Sequence, residues 1–253
     1  MTVDLVEGEL ELASRILSAS NATYLGHIGD VTVVYKPIAG ERPLWDFPDG
    51  NLAHREVAAY AVSETFGWNV VPQTWLRDGP MGPGMVQLWQ DIDVEQAAVT
   101  LVPAQATPKG WCHVLDGLDA QDRPVSLIHE DSPELRRMAV FDIVANNADR
   151  KGGHVLEMLD RHRYGVDHGL TFHSEHKLRT ILWGWQGQAL LPAELAGVER
   201  VLTSLYEELG DTLASLLADA EIDALAVRCE RLLHRAHFPR PRGPMPAVPW
   251  PPF

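Results

Sequence analysis

Residues 23–28 and 31–35 are short, mainly apolar runs that predict strands, and Gly29-Asp30 between them is a hairpin signal. Residues 10–17, just upstream, read as a short helix. The second strand ends on Lys36-Pro37, after which a loop rich in Gly, Pro and Asp runs to Asn51. Asn51 is placed to cap a helix over 52–66 that Gly67 would close. Residues 70–76 and 85–89 predict a further antiparallel pair around Arg77-Asp78-Gly79-Pro80.

Beyond residue 91 the pattern changes. Residues 94–104 are ambiguous, and 111–115 with 125–129 suggest a hairpin. Ser132-Pro133-Glu134 has the form of a helix start, with Leu135, Met138, Ala139, Ile143 and Val144 as its apolar positions, and the helix stops at an Asn-rich loop. A hairpin over 155–159 and 163–166 follows, then helices over 193–205, 212–218 and 221–236. Trp183-Gly184-Trp185 reads as core. Residues 238–253 contain seven prolines, which excludes regular helix or central strand. A sheet-rich first part and a helix-rich second part predict an α+β fold of two lobes with a cleft at their junction: 1–91, then 92–237, then a proline-rich tail, 238–253.

With 45% apolar residues in 253, the chain can bury a core of that size. Against 21 basic residues stand 35 acidic ones, a formal charge of −14. Long-range repulsion therefore disfavours nucleic acid or an anionic membrane as a general partner, while leaving room for a local basic pocket. The acidic start lacks the order of a secretory signal and no apolar run is long enough to span a bilayer, so a cytoplasmic protein is expected. Cys112 and Cys229 have no metal-ligand spacing and read as two buried thiols. The eleven histidines, His168, His173 and His176 among them, lack the partners of a zinc site.

The candidate chemistry lies in Asn146-Asn147-Ala148-Asp149-Arg150-Lys151 after the helix and Val166-Asp167-His168-Gly169 after the hairpin. Phosphoryl transfer needs one carboxylate to orient the attacking group and another to hold a divalent metal. His154 stands five positions after Asp149 and Asp167 eighteen after it, the spacing of a kinase-like loop, metal ligand and hairpin-end carboxylate. Asp142-Ile143, Asn147, Asp149-Arg150 and Asp167-His168-Gly169-Leu170 resemble the D-x-I-x-x-N-x-D-R and D-x-G motifs of the phosphatidylinositol 3-/4-kinase-like superfamily. The likeness is to type II phosphatidylinositol 4-kinases and HipA-type kinases in particular, and to a small actinobacterial-type family distantly similar to them.

The resemblance implies a two-lobed kinase-like fold with a small antiparallel-sheet first lobe and a mainly helical second. It implies ATP and Mg²⁺ or Mn²⁺, with Asp167 and His154 on the metal, Asp149 positioning a hydroxyl and Lys151 neutralising charge on the transferring group. Lys36 would contact the α- and β-phosphates with Glu56 as its ion-pair partner, although an ordinary surface pair is the other reading. Ser20 and Asn21 fall where the phosphate-covering loop lies, Asn69-Val70-Val71-Pro72-Gln73-Thr74 resembles the family's N-V-V-P-x-T strand, and Gln87 with Leu88 falls near the hinge that pairs with adenine. The chain departs from the family in His154, where Asn is usual, in Lys151, where lipid kinases commonly carry His, and in a phosphate loop without glycine. Lys177 and Arg179, in the place of an activation loop, could recognise a phosphate or an acidic group. The hydroxyl-bearing acceptor stays open between a lipid headgroup, a small molecule and a protein. A degenerate nucleotide- or partner-binding module is the alternative, and the tail either meets a proline-reading partner or folds back.

Overall fold

The two runs in residues 23–35 build the centre of a five-stranded antiparallel sheet in the computed structural model, which describes residues 4–253 apart from 18, 20, 43, 45, 48–50, 244 and 245. Its strands are β1 (Leu10–Arg15), β2 (Tyr24–Ile28), β3 (Val31–Pro37), β4 (Thr74–Gly79) and β5 (Gly82–Leu88), in the order β1-β2-β3-β5-β4. Residues 10–15 are thus a strand and not the expected helix. They pair along β2 from Leu10↔Ile28 to Arg15↔Tyr24, and Leu10 joins a small core with Ile28, Val33, Tyr35 and Val86. Partner strand and buried face override local preference there. In β3 the pleat buries Val33, Tyr35 and Pro37 and turns Val34 and Lys36 to the opposite face.

Between β3 and β4 runs α1 (Leu52–Phe66), with the ends that its sequence predicts. Asn51 Oδ1 accepts from His54 N at 2.8 Å, the Glu41 carboxylate accepts from the amides of Leu52 and Ala53, and Gly67 closes the helix at φ 67°. Ala58, Ala59, Val62 and Phe66 of α1 enter the main core, which continues through α2 (Pro133–Ala145), α3 (Pro192–Ser204), α4 (Glu208–Ala214) and α5 (Asp219–Arg235). The second half also carries a three-stranded sheet, β6 (Val99–Pro103), β7 (Trp111–Leu118) and β8 (Pro124–Glu130), and the hairpin β9 (Val155–Glu157) with β10 (Arg163–Gly165). Among the described residues no helix is long and apolar enough to cross a membrane.

Trp183 and Trp185 are core, and Gly184 between them sits so close to its neighbours that a Cβ would lie 2.2 Å from Cys112 Cβ and 2.5 Å from His129 Nε2. Gly184→Ala is expected to destabilise by about 1–3 kcal/mol through overpacking. A denaturant melt matching wild type would refute that packing. Cys229 is buried, whereas Cys112 is only partly so, because β7 edges the sheet and leaves its side chain half covered. Burial pushes the thiols up to about 11 at Cys112 and about 12 at Cys229, so both are inert near neutrality. The tail folds back along this region: Ala247 O accepts from Thr180 N and Trp183 Nε1, and Pro252 O from Gly152 N.

Candidate active site

Lys36 leaves β3 on the face that looks toward α1. Its Nζ lies 2.7 Å from Glu56 Oε1 and also pairs with Asp167 Oδ1. Glu56, one turn into α1 and buried, spends its other oxygen on the amide of His168 at 2.8 Å. One carboxylate thus ties the sheet, the helix and the Asp167-His168-Gly169 turn together. This is not a surface ion pair: the Lys36 and Glu56 side chains are only 20% and 3% exposed. Burial would lower the Lys36 ammonium, but Asp167 and Glu56 outweigh it and hold the group above its usual value. Lys36 in turn holds Asp167 well below the ordinary carboxylate range, and Asp167 stays ionised. Asp167 sits at φ 61°, a left-handed conformation that Asp tolerates better than most residues.

The loop bearing Asp149 is set by a buried charge pair. α2 ends where Asn146 turns the chain at φ 54°, and Asp142, in its last turn, accepts from Arg150 Nη2 at 2.9 Å and from Asn147 Nδ2 at 2.9 Å. Asn147 Oδ1 receives the amide of Asp149, fixing its backbone. Arg150 therefore pairs with Asp142 and not with its neighbour Asp149, whose Oδ2 is instead 3.2 Å from Lys151 Nζ. Arg150 also donates to the carbonyls of His154 and Val166 and to His168 Nε2, so it braces the loop, the turn after it and the Asp167 segment at once. These bracing roles of Asp142, Asn147 and His168 are not readable from spacing; the signal was the likeness of the motif itself.

His154 stands between the two candidate carboxylates. Its Nδ1 must donate to Asp149 O at 2.8 Å, because a carbonyl only accepts, and burial keeps the imidazole neutral near pH 7. Nε2 then carries a lone pair 3.4 Å from Asp167 Oδ2. Two electron-pair donors facing each other this closely suit a cation between them. Among the described residues no group of three or more His, Cys, Asp or Glu could hold a metal by itself, so further ligands would come from phosphate and water, as is usual for Mg²⁺.

Lys36 and Asp167 form a wall common to two cavities. The larger, about 590 Å³, is lined by Val34, Gln87, Leu88, Trp89, His154 and Val166, among others. The smaller, about 350 Å³, is lined by Asn21, Glu56, Asp149 and Gly169, among others. Asp149 and Asp167 thus share the smaller cavity, Lys151 reaching it only through Asp149. Gln87 turns its side chain onto Thr74 Oγ1, and the Leu88 amide is taken by Gln73 O and that of Trp89 by Thr32 O. Asn21 Oδ1 holds the amide of Arg42. Ser20 lies outside the described residues. Of the Lys177 and Arg179 pair, Lys177 lies near Glu175 and Arg179 donates to Ala148 O.

The fold that places these residues is the two-lobed kinase-like fold. The crystal structure of the Golgi casein kinase superposes on it with a TM-score of 0.59, covering 94% of this chain and 77% of that one at 14% identity. The Helicobacter pylori proinflammatory kinase CtkA gives a TM-score of 0.49 at 11% identity, over 94% of this chain and 95% of that one. No family model matches the chain. Protein Rv2133c of Mycobacterium tuberculosis is 48% identical over 262 residues, spanning 98% of this chain and 94% of that protein, and the chain belongs to its family.

Proposed function

We propose that this protein is an ATP-dependent phosphotransferase that moves a phosphoryl group onto a hydroxyl. The observation that carries the reading is the Lys36–Glu56–Asp167 cluster standing between two cavities, with Asp149 on one side and His154 on the other. On this reading adenine lies in the larger cavity near Gln87 and Leu88, Lys36 engages the α- and β-phosphates, and Asn21 lies near them. Asp167 and His154 are the residues to hold Mg²⁺ or Mn²⁺, which when bound neutralises phosphate charge; imidazole favours Mn²⁺. Asp149 would orient the acceptor hydroxyl, with Lys151 beside it to offset charge. The lobes divide near residue 91, and residues 238–253 are the proline-rich tail that closes the chain onto the second lobe. The likeness of the two motifs favours the phosphatidylinositol 3-/4-kinase-like superfamily within kinase-like folds. The acceptor is a lipid headgroup, a small molecule or a protein.

A second reading, nucleotide binding without turnover, is favoured by a specific arrangement: Asp149 rests against Lys151 and Lys36 closes on Asp167. Following ATP consumption in wild type and Asp149→Asn separates the two. A loss of about 10²–10⁴-fold with nucleotide binding retained is the expected result. Equal rates in both proteins would favour the second reading and remove Asp149 from the chemistry.

A further inference from the structure

Between α5 and the segment that follows it the chain carries a strongly basic cavity, although its formal charge is −14. The cavity, about 370 Å³, is ringed by Arg228, Arg231, Arg235, Arg240 and Arg242 over an apolar floor that includes Leu232 and Phe238. The helical period sets the first three along one face of α5. Ala236 at φ 51° then turns the chain, and Phe238 pairs by backbone with Gly187 and Gln188, which brings Arg240 and Arg242 to the same cavity.

Among the described residues no carboxylate lies within ion-pair distance of this ring, and Glu221 only partly offsets burial at Arg228. The ion-paired arginines of the described residues are Arg55, Arg123, Arg136, Arg150 and Arg163, and none of the five around the cavity is among them. Arg228 is the most telling. Its Nε donates to Val144 O at 2.8 Å and its Nη1 to His173 O at 3.2 Å, while Nη2 is buried without any hydrogen-bond partner. Burial pushes this guanidinium down to about 10, and Arg242 is lowered too, by burial and then by Arg231 and Arg235. Like charges one turn apart weaken a helix. The helix dipole offsets this for Arg235 in the last turn, but not for Arg228 in mid-helix or for Arg240 and Arg242 beyond it.

We propose that this cavity binds a small phosphate-bearing molecule, the guanidinium ring taking the phosphate and the apolar floor taking the organic body. Guanidinium forks match phosphate oxygens in pairs, and a floor of Leu232 and Phe238 distinguishes a phosphate ester from free phosphate. The site stands apart from the nucleotide reading of the cleft. It touches the cleft indirectly, since the His173 carbonyl held by Arg228 is also held by Asn146 Nδ2, at the head of the loop that bears Asp149.

Calorimetric titration with phenyl phosphate and with inorganic phosphate tests the proposal. Saturable binding of phenyl phosphate to wild type is expected, with weaker binding of inorganic phosphate; equal affinities would keep the phosphate site and remove the role of the floor. The double variant Arg231→Glu/Arg235→Glu should weaken binding about tenfold or more, since charge-assisted pairing is replaced by repulsion. Arg240→Glu/Arg242→Glu, outside any helix, should repeat the loss and guards against a folding defect in α5. Asp167→Ala should leave phenyl phosphate binding intact even where it abolishes ATP binding. Absence of saturable binding to wild type, unchanged affinity in both arginine variants, or loss of binding in Asp167→Ala would each overturn the proposal.

Discussion

Asp167→Ala is expected to remove metal-dependent ATP binding, lowering affinity by at least about 100-fold, because loss even of an outer partner of a metal ligand costs about 10–100-fold. Asp167 is the carboxylate that meets both Lys36 Nζ and His154 Nε2, so its loss removes the anion between the phosphate-side cation and the imidazole donor. The fold should tolerate the change. Glu56 keeps Lys36 paired, and the Asp167 side chain is half exposed. Alanine is less at ease than aspartate at φ 61°, so Asp167→Asn, which suits the left-handed region, is the companion variant. At ATP and Mn²⁺ concentrations one hundred times Kd, wild type should gain about 2.7 kcal/mol in stability, and both variants should gain almost none. Undiminished metal-dependent binding in Asp167→Asn would remove Asp167 from the nucleotide site.

The α1 boundaries were legible because cap chemistry is local: Asn51 and Gly67 mark the two ends within a residue of where the helix starts and stops. Elsewhere the deciding contact was not local. Residues 10–15 become a strand only because β2 offers them a partner. A helix expected over 212–218 is instead Glu208–Ala214 and runs through Gly210, where a Cβ would lie 2.1 Å from Leu205 O. Glycine there serves a close approach and not a break, a distinction that the sequence does not carry. In the candidate site, the spacing of Asp149, His154 and Asp167 was readable because all three lie within one loop and hairpin. Lys36 and Asp167 are 131 residues apart, so their meeting depends on the whole fold. The arginine ring was invisible for the same reason: Arg240 and Arg242 join the arginines of α5 only where Ala236 turns the chain back.

Asp142→Asn is expected to destabilise the protein by about 3–5 kcal/mol, the range for breaking one side of a buried pair. Asp142 and Arg150 have no exposed side-chain surface, and the carboxylate accepts from Arg150 Nε and Nη2, Asn147 Nδ2 and Thr180 Oγ1. An amide cannot accept at both ends, so one donor is left facing an N–H and Arg150 keeps a buried charge without its counter-ion. Arg150→Met should cost a similar amount for the mirror reason, stranding the carboxylate. The double variant Asp142→Leu/Arg150→Met should be less damaging than the sum of the two single changes, because it removes both charges together. Denaturant melts of the set measure this directly. A loss below about 1 kcal/mol for Asp142→Asn, within the range of an ordinary exposed pair, would show that the pair does not brace the loop. Its failure would also leave the Asp149 backbone, held through Asn147, without the support that fixes it at the cleft.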